Sequence, residues 1–329
     1  MQPMFTITMR TSMPLLMGGV LAVASAQVVQ ASCGASFCSI NTNWNMQGAA
    51  VEPGWRLDLR AEYIDQDQPR SGNDDIAVGQ VRRHHDEVKT RNRNAQAVID
   101  YAVNERLGFS ATIPVTDRDH LHIHNHHGAK IPESWDFTRL GDIRVQGRYQ
   151  WSMAGREDAG MGNFGLNLGL KLPTGQTHVD NADGDRAERS LQPGTGTTDL
   201  LLGAYYNQLL SSMDSSWFVQ GVWQQPLNRH EHYEPGHRLS ADLGYRYEAS
   251  SKVGLLAQIN TLYVARDRGA EAEPKDTGGK FVYFSPGATF AVTPNAQLYG
   301  FVQLPMYQYV NGVQLTADWS LAAGVSVRF

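Results

Sequence analysis

From residue 54 to the C-terminus, apolar and polar residues alternate along the chain. In the last segment, every second residue from Trp319 to Phe329 is apolar, and most residues between them are polar or glycine. Segment 162–172 shows the same pattern, with leucines at alternate positions. Strict alternation over about ten residues indicates a β-strand with two different faces.

Such segments occur at twelve places, and the connections between them alternate in length. Long connections such as 64–92 and 173–197 take turns with short ones such as 104–106 and 249–251. Outer-membrane barrels have short periplasmic turns and long outer loops. The sequence therefore predicts an all-β fold, a transmembrane antiparallel up-and-down β-barrel of about 12 strands with both chain ends in the periplasm. The predicted strands are 54–63, 93–104, 106–115, 140–151, 162–172, 198–210, 216–226, 237–249, 252–264, 279–292, 296–305 and 315–329.

The two faces of the predicted strands have different chemistry. One face is apolar, with tryptophans such as Trp55, Trp151 and Trp319 near strand ends, as in the aromatic girdles of membrane barrels. The other face carries charges of both signs, which a packed core would not tolerate but a wet lumen would. A soluble β-sandwich with a solvated polar face is the alternative. The predicted lumen residues are Arg56, Asp58, Arg60, Asp100, Asp142, Arg144, Arg148, Asp199, Asp242 and Arg246.

The N-terminal 26 residues have the pattern of a secretory signal peptide. Arg10 precedes a short apolar run that ends in Ala24-Ser-Ala26, a cleavage pattern. Residues 27–53 then form a periplasmic or lumenal extension, and residues 54–329 form the barrel. In an oxidising periplasm we expect Cys33 and Cys38 to form a disulfide. The alternatives for these cysteines are lipidation at Cys33 and a redox or metal role.

Composition narrows the function classes. The chain has 329 residues, of which 41% are hydrophobic and 19% charged, and its formal net charge is −5. A disordered chain would have fewer apolar residues and more charge. A nucleic-acid partner is not expected, because electrostatic binding to phosphates needs a basic surface.

Histidine is concentrated in the predicted outer loops. The densest run is 120–127, where alternate residues of an extended segment would point to one side, about 7 Å apart. Neutral imidazole is a common ligand of zinc and copper, so a transition-metal site is predicted, although no cofactor is required. A pH-responsive loop set and a merely hydrophilic loop are the alternatives. The predicted metal residues are His120, His122, His124, His126, His127, His84, His85, His230 and His232.

Two motifs carry a family resemblance. The C-terminal Phe329, preceded by alternating apolar residues, resembles the assembly signal of bacterial outer-membrane proteins. The stretches Gly169-Leu-Lys-Leu-Pro-Thr-Gly-Gln176 and 194–206, which begins Gly-Thr-Gly, are similar to the outer-membrane transporter family named for the meta pathway of phenol degradation. The resemblance implies an outer-membrane location, contact with membrane lipids and the barrel assembly machinery, and a transport role.

The sequence leaves two functional classes open. One is a channel or transporter for a small solute, with a histidine-rich mouth that binds a metal ion. The other is a non-conducting binding or structural barrel, plugged by a segment between residues 33 and 53, whose loops hold metal or a partner. An omptin-like enzyme is not expected, because the motifs of that class are absent from the sequence.

Overall fold

The computed structural model describes residues 40–44, 47, 51–153, 161–210 and 214–329. The predicted signal peptide and both cysteines lie outside these residues. The described parts contain fifteen β-strands and no helix that is long and apolar enough to cross a membrane. The strands are β1 (Gly54–Gln66), β2 (Gln68–Gly72), β3 (Asp74–Asp75), β4 (His85–Ala102), β5 (Leu107–His126), β6 (Ala129–Leu140), β7 (Arg144–Met153), β8 (Gly162–Lys171), β9 (Asp199–Leu209), β10 (Ser215–Pro226), β11 (Arg238–Glu248), β12 (Val253–Val264), β13 (Gly279–Thr293), β14 (Ala296–Thr316) and β15 (Ser320–Arg328).

Twelve of these strands close into one antiparallel barrel. Neighbours in the chain pair with one another from β7 to β15, while β5 pairs with β4 and β7, and β1 pairs with β4. The ring closes where β1 pairs with β15, from Arg56 opposite Arg328 to Ile64 opposite Ser320. Since every strand edge in the wall has a neighbour, the backbone polar groups are paired without water, as a lipid environment demands. The predicted barrel class and strand number are confirmed.

The remaining strands extend the outer end of the barrel. Strand β6 pairs with β5, over Val115–His126 of β5, and β2 pairs with the distal part of β14. The predicted loops 64–92, 116–139 and 306–314 are therefore largely strand, and the last strand begins at Ser320 rather than at residue 315. The prediction missed these extensions because beyond the lipid both strand faces meet water or protein, so apolar residues no longer alternate with polar ones.

The wall shows the predicted division of faces. Leucines on the outer surface, such as Leu168 and Leu243, keep more than half of their side-chain surface exposed, while the charged residues between them point inward. Aromatic rings mark both rims: Trp55 lies 4.6 Å from Tyr101 near the chain ends, and Tyr63 lies 5.6 Å from Trp319 at the loop-bearing rim. This distribution is that of a lipid-facing belt.

Two apolar clusters fill the ends of the barrel. At the end where β1 begins and β15 ends, Ile40 and Trp44 pack inside the lumen against residues of β12, β14 and β15. At the outer end, the loop between β8 and β9 (residues 172–198, the mouth loop) folds inward and packs against β6 and β14. The outer cluster consists of Trp135, Phe137, Val179, Ala187, Leu191 and Leu315.

Candidate functional site

Between the two apolar clusters lies a polar cavity of about 520 Å³. It is bounded by the segment Ile40–Trp44 at the periplasmic end and by Arg189, Ser190 and Gln192 of the mouth loop at the outer end. The wall around it carries charged side chains of both signs, which can interact with water and with small polar solutes. Seven of the predicted lumen residues line this cavity: Arg56, Asp58, Arg60, Asp100, Asp142, Arg144 and Asp242.

The other three predicted lumen residues pair with neighbouring polar groups. The Arg148 guanidinium donates to the Gln150 amide oxygen over 3.0 Å, and Asp199 accepts a hydrogen bond from Gln224. Arg246 pairs with the carboxylate of Glu248, and its guanidinium lies 5.9 Å from the ring of Trp44.

Trp44 forms the floor of the cavity. Its indole Nε1 donates to Asp58 Oδ2 over 3.2 Å, and its ring packs edge-on against Tyr299 at 5.0 Å. Nearby, Asn41 exchanges hydrogen bonds with the Gln258 side chain on β12. These contacts hold Ile40–Trp44, which precede the first strand of the wall in the chain, inside the lumen.

A buried lysine, Lys171, ends β8 directly before the glycine-rich motif. Its buried ammonium group donates to Asp142 over 2.8 Å and lies 3.3 Å from Asp199, so it ties β8 to β9 at the outer rim. The mouth loop passes so closely that a Cβ on Gly194 would lie 2.7 Å from Gly175 Cα. Only glycine at both positions lets the two backbone segments approach to this distance.

The histidine cluster stands on strands, not on a loop. Strand β5 runs between β4 and β6, and the register places His85 opposite His124 and Glu87 opposite His122 on one side. On the other side, Glu133 of β6 lies opposite His122. Cross-strand neighbours lie about 5 Å apart. The predicted alternation of His120, His122 and His124 on one face is therefore what brings their rings together with two carboxylates.

The cluster offers three overlapping groups of ligand atoms. The Nε2 of His122 lies 2.9 Å from Glu133, and the Nδ1 of His122 lies 3.3 Å from His120 Nε2. Ligands of a tetrahedral zinc ion, at about 2.0 Å from the metal, are separated by about 3.3 Å. Ligand atoms within each group lie within 4.8 Å of one another. The groups are His84, His85 and His124; His85, His122 and Glu133; and Glu87, His120 and His122.

Burial keeps the inner imidazoles neutral. Burial lowers the pKa of His85 to about 3, and the neighbouring His122 adds to the effect. Burial also lowers the pKa of His120 well below its usual value, and that of His122 less far, because Glu133 opposes the shift. A neutral imidazole has a lone pair available for a metal ion, so these side chains are in the protonation state that coordination needs.

The remaining predicted metal residues lie apart from these groups. His126 and His127 follow along the same hairpin to its tip, where their rings stand 4.4 Å apart. His230 packs on Gly196 and lies 3.6 Å from Glu231. His232 has a left-handed backbone, φ 60°. In the described chain, none of these four joins a ligand group.

Sequence reasoning missed the carboxylates of the cluster, Glu87 and Glu133. Glu87 lies two residues after His85, so period two places both side chains on one face. Glu133 needed the hairpin register, which a two-residue turn at His127-Gly128 sets. Both turn residues have positive φ, 46° and 89°, as a type I′ turn requires. A glycine directly after the histidine run was the available signal for this turn.

A family model described as "Putative MetA-pathway of phenol degradation" matches residues 100–328, which is more than half of the chain. The chain belongs to this family. No curated protein matches the chain in sequence.

Among solved structures, the barrel is similar to an outer membrane channel from Pseudomonas putida F1. That similarity has a TM-score of 0.64 at 13% sequence identity and covers 86% of this chain and 98% of the channel. The NanC porin is also similar, with a TM-score of 0.43 at 9% identity over 83% of this chain and 100% of the porin. A closed antiparallel barrel with an outward-facing apolar belt is the architecture of outer-membrane proteins, so this barrel lies in the bacterial outer membrane.

Proposed function

We propose that the protein is a channel that carries a small polar solute across the outer membrane. The polar cavity inside the closed barrel is the observation that supports this proposal, because it is walled by charged side chains of both signs. Arg56 and Asp58, for example, are placed to solvate either sign of charge on a solute. For a solute to pass, the Ile40–Trp44 segment must move out of the lumen or leave an open path beside it.

Current through purified protein in planar bilayers tests the channel. Trp44→Ala removes the ring from the floor of the cavity, so it should raise conductance above that of the wild type. Trp223→Ala is the control, because Trp223 lies on the outer face of β10 with 38% of its surface exposed. If the wild type and Trp44→Ala both fail to conduct, the barrel is a non-conducting binding protein and the channel proposal is wrong.

We further propose that the histidine cluster at the mouth binds a transition metal ion, zinc or copper. The support is the set of three overlapping ligand groups, in which neutral imidazoles and carboxylates lie at coordination spacing. His85 and His122 each belong to two groups, so they are the central ligands. Glu87 and Glu133 supply negative charge that favours a divalent cation.

Calorimetric titration of zinc, copper(II) and nickel tests the metal proposal. Replacing His85 and His122 by Ala should abolish binding tighter than millimolar. The matched control replaces His230 and His232 by Ala, which removes two histidines from another outer loop and should leave the affinity unchanged. Equal affinity in the two double variants would contradict the site.

A further inference from the structure

The mouth loop contributes one acidic side chain to the histidine cluster. Glu188 is buried, with 5% of its surface exposed, although it comes from neither the β4–β5 nor the β5–β6 pair. Its Oε1 lies 3.8 Å from His85 Nδ1 and 4.0 Å from His122 Nδ1, the two histidines that the ligand groups share. A movement of about 0.5–0.7 Å would bring this carboxylate to the separation of about 3.3 Å that ligands of one tetrahedral zinc ion have.

The segment that carries Glu188 also covers the cavity. Arg189, Ser190 and Gln192 follow Glu188 directly and line the outer end of the cavity. The chain turns between them, where the Leu191 amide donates to the Glu188 carbonyl over 2.9 Å. The position of the Glu188 carboxylate and the position of the cavity cover are therefore coupled through one tight turn.

The mouth loop is already held against the hairpin by contacts that need no metal. Arg118 of β5 donates to the Leu191 carbonyl over 2.5 Å, and the indole Nε1 of Trp135 on β6 donates to the Asp185 carbonyl over 2.9 Å. The Leu191 side chain packs in the same apolar cluster as Trp135. An ion bound through Glu188 would add a further link between the same two elements.

From these contacts we propose that Glu188 is a ligand of the metal ion and that the ion locks the mouth loop over the cavity. The inference rests on the proposed metal site and adds its regulatory consequence. An ion that gains the Glu188 ligand only when the loop covers the cavity binds that state more tightly and shifts the population toward it. Zinc at about 100 times its Kd can change the ratio of covered to uncovered barrels by up to about 100-fold. Metal on the outer side then reduces solute passage, and a chelator restores it.

The test uses Glu188→Gln, which keeps the size of the side chain and removes its charge. We expect zinc affinity to fall about 10-fold or more, as for groups that support a metal site. Zinc should reduce the current through the wild type, with reversal by EDTA, and should leave the current through Glu188→Gln nearly unchanged. Glu271→Gln is the control, because Glu271 is an exposed acid on the β12–β13 loop, and it should behave as the wild type.

A second measurement needs no variant. Zinc should slow hydrogen exchange at Glu188–Gln192 in the wild-type barrel, in addition to the amides of β5. Protection of β5 alone would overturn the lock.

The outcomes separate the two proposals. Zinc binding of equal affinity in wild type and Glu188→Gln would show that Glu188 is not a ligand and would leave the metal site standing. If zinc binds a conducting wild type but does not alter its current, the lock is wrong, whatever the role of Glu188, and the metal site still stands. Absence of both zinc and copper(II) binding by the wild type would remove the metal site and the lock together.

Discussion

His120 illustrates how burial sets chemistry at a single residue. Its side chain is fully buried beside His122 and Trp135, and its Nδ1 lies 2.8 Å from the Thr90 hydroxyl. Desolvation disfavours the imidazolium, so the pKa of His120 lies well below that of an exposed histidine. The side chain contributes to stability in its neutral form, which is the same form that a metal ion requires.

Acid should therefore loosen the histidine hairpin. Below pH 6.5 the unfolded segment takes up protons at His85 and His120, while the folded segment does not until the pH falls through the lowered pKa values. The free energy of unfolding is therefore highest above pH 6.5. As the pH decreases below 6.5, it falls by about 1.4 kcal/mol per pH unit for each such histidine. Hydrogen exchange of β5 amides at pH 7.5 and pH 5 measures this. A rate unaffected by pH, after correction for intrinsic exchange, would contradict it.

The glycines of the mouth loop give a second prediction for single residues. Gly194→Ala would force its Cβ to 2.5 Å from the Gly175 carbonyl oxygen, so one backbone segment must move. We expect a loss of about 1–3 kcal/mol, typical of overpacking. Proteolysis of the mouth loop in the folded barrel measures the effect. Gly300→Ala is the control, since a Cβ there meets no atom within 4 Å, and equal protease resistance of the two variants would argue against the close approach.

At the scale of strands, the sequence predicted the part of each strand that crosses the lipid. Apolar and charged residues alternate in strands such as β1 and β11 because one face of the wall contacts lipid and the other faces the aqueous lumen. The β5–β6 extension and the distal half of β14 have no lipid-facing side. Their strand register therefore depends on turns and on neighbouring loops rather than on a lipid-facing pattern. For the same reason, the histidine face was predictable from spacing alone, whereas the approach of Glu188 from a separate loop was not.

Trp135 on β6 connects the hairpin to the mouth loop. It packs against the rings of His120 and His122, and 3% of its surface is exposed. Trp135→Ala should cost about 3–5 kcal/mol of local stability, as for other buried aromatic residues. Faster hydrogen exchange in both β6 and residues 185–191 would show this loss. A change confined to β6 would mean that the two elements are not coupled.

At the scale of the whole molecule, the barrel is closed by its first and last strands. The Phe329 amide donates to the Trp55 carbonyl over 2.9 Å, while the Phe329 side chain is 74% exposed. The ring thus contributes little to packing within the barrel, and we propose that the assembly machinery recognises it.

Deleting Phe329 should lower the amount of barrel inserted in the membrane several-fold and leave the thermal stability of the inserted fraction almost unchanged. Heat-modifiable gel migration measures both quantities. Phe290→Ala, which removes another exposed ring from the outer face of β13, is the control and should insert normally. Normal insertion of the deletion variant would exclude Phe329 as the signal.

Because β1 pairs with β15, the barrel is a continuous ring in which every strand of the wall has two neighbours. A Cβ on Gly54, the first residue of β1, would lie 2.8 Å from the Phe329 carbonyl oxygen, so a short linker can join β15 to β1 once the residues before Gly54 are removed. A circular permutant opened at Ser250, in the turn between β11 and β12, would keep every strand pairing of the wall. Its chain would no longer end in phenylalanine, so it should refold in detergent but insert poorly in cells. This permutant would test whether the order of strands in the wall and insertion into the membrane depend on different parts of the chain.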